Sequence, residues 1–130
     1  MSQEDVDLVR GAFDAWQRGD ADEALEASSD DLITYRADPD GATYRGKKGF
    51  FEALADWVEG FSEWSVEPIE YVDTGGSVIV RVRQRARGEI SGIAVEEEFW
   101  FVHDVRGQRI SKISFYSRRD DAFAAAKSRQ

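Results

Sequence analysis

Residues 95–105 read VEEEFWFVHDV, and no other stretch constrains the chain as tightly. At a period of two, Val95, Glu97, Phe99, Phe101, His103 and Val105 share one face, and Glu96, Glu98, Trp100, Val102 and Asp104 share the other. Side chains of a strand point alternately to the two faces of its sheet. Bulk on both faces therefore predicts a strand with neighbours on both sides, central in its sheet. One face sets two phenylalanines beside an acid and the only histidine of the chain, so core and candidate site share one wall.

The natural partner is 78–87, VIVRVRQRAR, in which Val78, Val80, Val82 and Ala86 alternate with Ile79, Arg81, Arg83, Arg85 and Arg87. Two antiparallel registers compete, and a slip of one residue turns over every side chain. In one, Val82 faces Phe99, Val80 faces Phe101, Arg83 faces Glu98 and Arg85 faces Glu96, with Arg81 over Trp100. In the other, arginines oppose phenylalanines on the inside. Cross-strand pairs contribute roughly 0.2–1 kcal/mol each, whereas unpaired buried guanidiniums cost far more, so the first register is preferred.

The remaining elements follow in order. Val6, Val9, Phe13 and Trp16 recur at helical spacing up to Gly19, and Asp20 caps a second, shorter helix through Ala24, Leu25 and Ala27. Ser29-Asp30-Asp31 breaks that helix. Residues 32–36 form a short strand, and Asp38-Pro39-Asp40-Gly41 is a turn. A third helix over 47–59 buries Phe50, Leu54, Trp57 and Val58. A strand around 64–72 follows, with Pro68 marking a bulge or an edge because it lacks a backbone donor. Thr74-Gly75-Gly76 turns into the 78–87 strand. A three-residue loop at 106–108 sets His103 against Ser111, Phe101 against Ile113 and Phe99 against Phe115. The tail 120–127 is helix-prone and packs through Phe123.

Composition bounds the function classes. A chain of 130 residues fits one domain, 1–130, and its 42% apolar and 12% aromatic content can fill a core and line a cavity. A formal charge of −9 argues against nucleic-acid or anionic-membrane surfaces, which need clustered Lys and Arg. No run approaches the roughly 18 apolar residues of a membrane span, and the opening MSQEDVDLVR is acidic where a signal peptide is basic. The expectation is a cytoplasmic protein. With no cysteine and a single histidine, no metal site and no cofactor are expected.

Helices grouped before an antiparallel sheet indicate an α+β fold. The order of signals resembles the SnoaL-like branch of the nuclear-transport-factor-2-like superfamily over almost the whole chain. The residues that carry the resemblance are Trp16 with Gly19-Asp20, Ser29-Asp30-Asp31, Tyr44-Arg45-Gly46, the Gly107 turn with Ile110, and Tyr116. The resemblance implies a conical half-barrel: a strongly curved, mixed but mostly antiparallel sheet around three N-terminal helices, with a short C-terminal helix. It implies a deep apolar pocket for a small hydrophobic, cyclic ligand. It also implies a homodimer through the outer sheet face that carries Arg81, Arg83, Arg85, Glu98, Trp100 and Tyr116. The superfamily hosts isomerases, cyclases, dehydratases and proteins without catalysis, so fold alone does not choose among them.

The expected pocket walls are Phe13 and Trp16 from the first helix, Tyr35 and Tyr44 from the strand and turn, and Phe50, Leu54 and Trp57 from the third helix. The sheet adds Val80, Val82, Phe99, Phe101, Ile113 and Phe115. Three residues are candidates for cofactor-free acid–base chemistry such as isomerisation, cyclisation or dehydration. Asp38, followed by Pro39, falls where ketosteroid isomerases carry a general base; a turn aspartate capping its own backbone is the competing reading. His103 can carry a proton near pH 7, or simply bond a neighbour at a strand end. Glu97 sits at the open end of the pocket or pairs with an inward Arg or Tyr. The isomerases' oxyanion-hole donors are absent, since the matching positions are Ala12 and Phe101, so steroid isomerase activity is not expected. The competing function is a non-catalytic ligand-binding or dimeric interaction module.

Overall fold

The computed structural model describes residues 2–37 and 41–127. Helix α1 (Ser2–Gln17) and the short α2 (Ala21–Glu26) precede strand β1 (Ser28–Arg36) and the edge strand β2 (Ala42–Arg45). Helix α3 (Gly46–Val58) leads into β3 (Phe61–Asp73), β4 (Ser77–Gly88), β5 (Ala94–Arg106) and β6 (Arg109–Tyr116), and α4 (Arg119–Lys127) follows. The six strands form one curved, unclosed sheet in the order β2-β1-β6-β5-β4-β3. Every pairing is antiparallel except β1 with β6, so the fold is mixed α+β as expected. Among the described residues no helix is long and apolar enough to cross a membrane.

Strand β5 lies between β4 and β6, in the interior of the sheet. The β4–β5 register is the one that keeps arginines out of the core: Val82 faces Phe99, Val80 faces Phe101, Arg83 faces Glu98 and Arg85 faces Glu96. Pro68 fills both roles open to it, since β3 is an edge strand and its register slips between Pro68 and Glu70.

The β5–β6 hairpin departs from expectation. The loop holds two residues, Gly107 and Gln108, with φ of 59° and 63°, and Arg106 faces Arg109. Two positive φ values are the geometry that a two-residue hairpin turn requires. A bulge between Asp104 and Val105 then shifts the pairing once more. Together they set His103 against Ile113 and Phe101 against Phe115, two places from the expected partners. A shift of two preserves the face, so the inner wall keeps its composition.

The inner face packs on the helices through a core of Val6, Val9, Leu25, Leu32, Val66, Val78, Val80, Val82, Phe99, Ile110, Ile113 and Phe115. A second, smaller core lies on the outer face, where α4 covers Ile79, Val102 and Tyr116. Ala122 and Ala126 are buried at that contact while Phe123 is only partly so. Ala122 and Ala126 bring α4 close to the sheet, and Phe123 packs against the same cluster as expected from sequence. Tyr116 is accordingly buried within its own chain.

Beyond α4 the outer face is a lattice of ion pairs. Arg81 bonds Glu98 at 3.0 Å and Glu70 at 3.3 Å, Arg85 bonds Glu96 at 3.0 Å, and Arg87 reaches Glu63 at 3.4 Å. The bond from Arg85 holds the Glu96 carboxyl below its ordinary range. Exposed pairs of this kind contribute little individually. Removing one, as in Arg85→Ala, is expected to leave the urea midpoint nearly unchanged.

Candidate functional site

Between the inner sheet face and the three N-terminal helices lies a cavity lined by side chains from almost every element. Helix α1 supplies Ala12, Phe13 and Trp16; α2 supplies Ala24 and Leu25; α3 supplies Phe50, Leu54 and Trp57. The strands supply Ser28, Trp64, Val66, Phe101, His103, Ile110, Ile113 and Phe115. Among the described residues, none that lines it is an acid, a lysine or an arginine. The free volume is about 70 Å³, which is narrow.

The aromatic walls are fixed by ring-to-ring contacts. Trp57 meets Phe99 edge-on with centroids 4.9 Å apart and Phe115 at 5.8 Å. Phe101 packs on Phe115 at 4.6 Å, and Trp16 meets Phe50 edge-on at 6.2 Å. Such geometry matches the negative face of one ring to the positive edge of the next and favours well-defined rotamers.

Three polar side chains are embedded in or behind these walls. Gln84, 2% exposed, accepts hydrogen bonds from both indoles: Trp64 Nε1 donates to its Oε1 at 2.8 Å, and Trp57 Nε1 donates to the same atom. It thereby ties α3 and the edge strand β3 to β4. His103 is 4% exposed, and its ring meets Phe13 with centroids 5.7 Å apart. Burial lowers its pKa to about 4, against a smaller opposing effect of the Val78 and Phe101 backbone, so the imidazole is neutral at pH 7. Ser28 is 1% exposed. Among the described residues neither His103 Nδ1 nor Ser28 Oγ has a hydrogen-bond partner.

The other expected site residues fall elsewhere. Asp38 lies outside the described residues. Glu97 is exposed and faces Gln84 across the β4–β5 ladder. Val80, Val82 and Phe99 are buried in the core without lining the cavity. Tyr44 lies near the surface, where its hydroxyl donates to Asp56 Oδ2 at 2.7 Å. Tyr35 is on the outer face, opposite Ser114, with its ring 6.5 Å from Tyr116 and Lys112 over it at 5.5 Å. The inward residues of that strand are Leu32 and Thr34; its bulk on both faces left the alternation without a preferred side. Among the described residues no group of three His, Cys, Asp or Glu side chains could hold a metal ion.

Two residues of the site escaped the sequence reading. Gln84 had a signal, being the one polar residue at an inward position of 78–87. Ser28 had none, because it lies before the expected start of β1. Its place depends on an irregular pairing in which Ser28 faces Ile110 and the register shifts before Ile33.

The family described as SnoaL-like domain matches residues 9–124. Among solved structures, an NTF2-like protein from Burkholderia xenovorans LB400 is 26% identical, with a TM-score of 0.72 over 97% of this chain and 98% of that one. An NTF2-like protein of unknown function from Burkholderia pseudomallei is 19% identical, with a TM-score of 0.76 over 95% and 97%. TerC, co-crystallised with polyporic acid, is 14% identical, with a TM-score of 0.74 over 95% and 98%. No curated protein matches.

Proposed function

The chain belongs to the SnoaL-like domain family, and on that premise we propose that it binds a small, largely apolar molecule in the cavity between helices and inner sheet face. The observation that carries this reading is the lining: aromatic and aliphatic side chains from every layer converge, and among the described residues none of the lining side chains is an acid, a lysine or an arginine. Ligand sites are typically concave and mostly apolar, with a few polar groups that fix orientation. The cavity is smaller than the roughly 300–1,000 Å³ of sites for drug-sized molecules. A ring-sized ligand therefore enters only as the side chains lining the cavity move apart. TerC's co-crystallisation with polyporic acid supports small-molecule binding on this scaffold.

His103 enters this reading as a hydrogen-bonding group. A base with a pKa near 4 accepts protons poorly at pH 7, so binding is favoured over proton transfer. A thermal-shift screen of single-ring phenols, ketones and terpenoids tests the proposal. A ligand at 100 times its Kd adds about 2.7 kcal/mol of stability, a shift of several degrees. Leu54→Trp, which fills the cavity, is expected to abolish that shift. A panel with no stabiliser, or a shift that survives in Leu54→Trp, contradicts the reading.

We also propose that the uncovered part of the outer face, Arg81, Arg83, Arg85 and Glu98 with Trp100, meets a second copy of the chain. The expected result is a dimer in sedimentation that weakens in high salt and in Arg83→Glu. A monomer at low salt contradicts it.

A further inference from the structure

Among the buried polar atoms of the described residues that have no hydrogen-bond partner, Ser28 Oγ and His103 Nδ1 belong to residues lining the same cavity, whereas Thr34 Oγ1 and Ser114 Oγ lie outside it. An unpaired buried polar group costs about 1–3 kcal/mol, so native structures seldom keep one without a use. Here two such groups share a cavity whose other polar reach is taken, because the Gln84 carbonyl already accepts both indoles.

Their positions in the sheet define what could join them. Ser28 faces Ile110, Ile110 faces Val105, and His103 lies two residues along β5 from Val105. Two strand spacings and two residues separate their Cα atoms by roughly 12 Å. That is far beyond one shared hydrogen bond. Because both side chains line the same cavity from the inner sheet face, the gap between Oγ and Nδ1 is of the same order, and a six-membered ring with an oxygen at each end can bridge it by bonding outward from both.

Resting on the reading of the cavity as a ligand site, we propose that Ser28 and His103 are the two poles of a subsite for a neutral, flat, single-ring ligand with oxygen substituents at opposite ends. Neutrality follows from the lining, which among the described residues offers no counter-charge, so that an anion entering it would lose its hydration without compensation. The neutral imidazole can accept a hydrogen bond from a hydroxyl at Nδ1, and the Ser28 hydroxyl can donate one to an ether or carbonyl oxygen.

The experiment is a titration of the intact protein at pH 7 with 4-methoxyphenol, 4-ethylphenol, 4-ethyltoluene and 4-hydroxybenzoate, read by calorimetry and by the imidazole ¹⁵N signals. Each satisfied pole is expected to improve affinity about 3- to 10-fold. Affinity should therefore fall from 4-methoxyphenol to 4-ethylphenol to 4-ethyltoluene, and the benzoate should bind at least about tenfold more weakly than 4-methoxyphenol. Ser28→Ala should erase the preference for methoxy over ethyl while leaving that for hydroxyl over methyl. In the wild-type protein, 4-ethylphenol should move the imidazole ¹⁵N signals and 4-ethyltoluene should not, a readout that needs no variant. Equal affinity for the three neutral probes, or tight benzoate binding, overturns the two-pole subsite and leaves the cavity reading standing. Failure of all four to bind overturns both.

Discussion

Acidification from pH 7 to pH 4 is expected to remove roughly 3 kcal/mol of folding stability through His103 alone. Burial holds its imidazole neutral in the folded protein down to about pH 4, whereas in the unfolded chain it protonates near its ordinary value of 6.5. Between those values the unfolded state binds a proton that the folded state does not, so stability falls as pH falls. The contribution is complete above pH 6.5 and gone below about 4. Glu96, whose carboxyl is held below its ordinary value of 4.5 by Arg85, adds a loss of the same sign only at the acid end of this window. Against the 5–15 kcal/mol typical of a domain, the loss is large enough to read in urea melts at half-unit pH steps. His103→Phe, which keeps a ring against Phe13, should give a nearly flat profile from pH 6.5 to 4.5. An unchanged slope in that variant would assign the effect to other groups.

Gln84→Leu is expected to cost about 2–4 kcal/mol, because it leaves two indole N–H groups without their acceptor in a largely desolvated place. The size of the side chain is nearly preserved, so the loss reports hydrogen bonding more than packing. Urea denaturation followed by tryptophan fluorescence measures it, and the Trp57 contacts with Phe99 and Phe115 should loosen at the same time. Coupling is the sharper test. In a Trp64→Phe background the cost of Gln84→Leu should shrink by at least about 0.5 kcal/mol, since one orphaned donor is gone. Strict additivity would mean that the two tryptophans do not share Gln84.

The sheet was legible where chemistry penalises the alternative. Arginines and phenylalanines alternate in β4 and β5 so strongly that a slip would bury guanidiniums, and the residues state the register. The β5–β6 hairpin was less legible. Its bulge falls at Ser111, a small polar residue that signals neither strand nor turn, and loop length alone misplaces the pairing by two. Cavity walls on α1 and α3 follow from helical spacing, because Phe13, Trp16, Phe50, Leu54 and Trp57 lie on inward stripes. Tyr35 shows the limit, since a short strand with bulk on both faces does not announce which side is inside. The polar part of the site was hardest to read. Ser28 enters through an irregular pairing with β6, and Gln84 looks like an interruption in an apolar alternation until two indoles are seen to converge on it.

Because His103 is the only histidine of the chain, its imidazole can be followed without assignment ambiguity. The most direct test of an apolar cavity that holds a neutral, hydrogen-bonding imidazole is a long-range ¹H–¹⁵N spectrum recorded from pH 7.5 to 4, with and without 4-methoxyphenol. The account predicts a neutral ring throughout most of that range, titrating near 4, with ¹⁵N signals that shift when the phenol binds. A ring that titrates near 6.5 and ignores the phenol would contradict it.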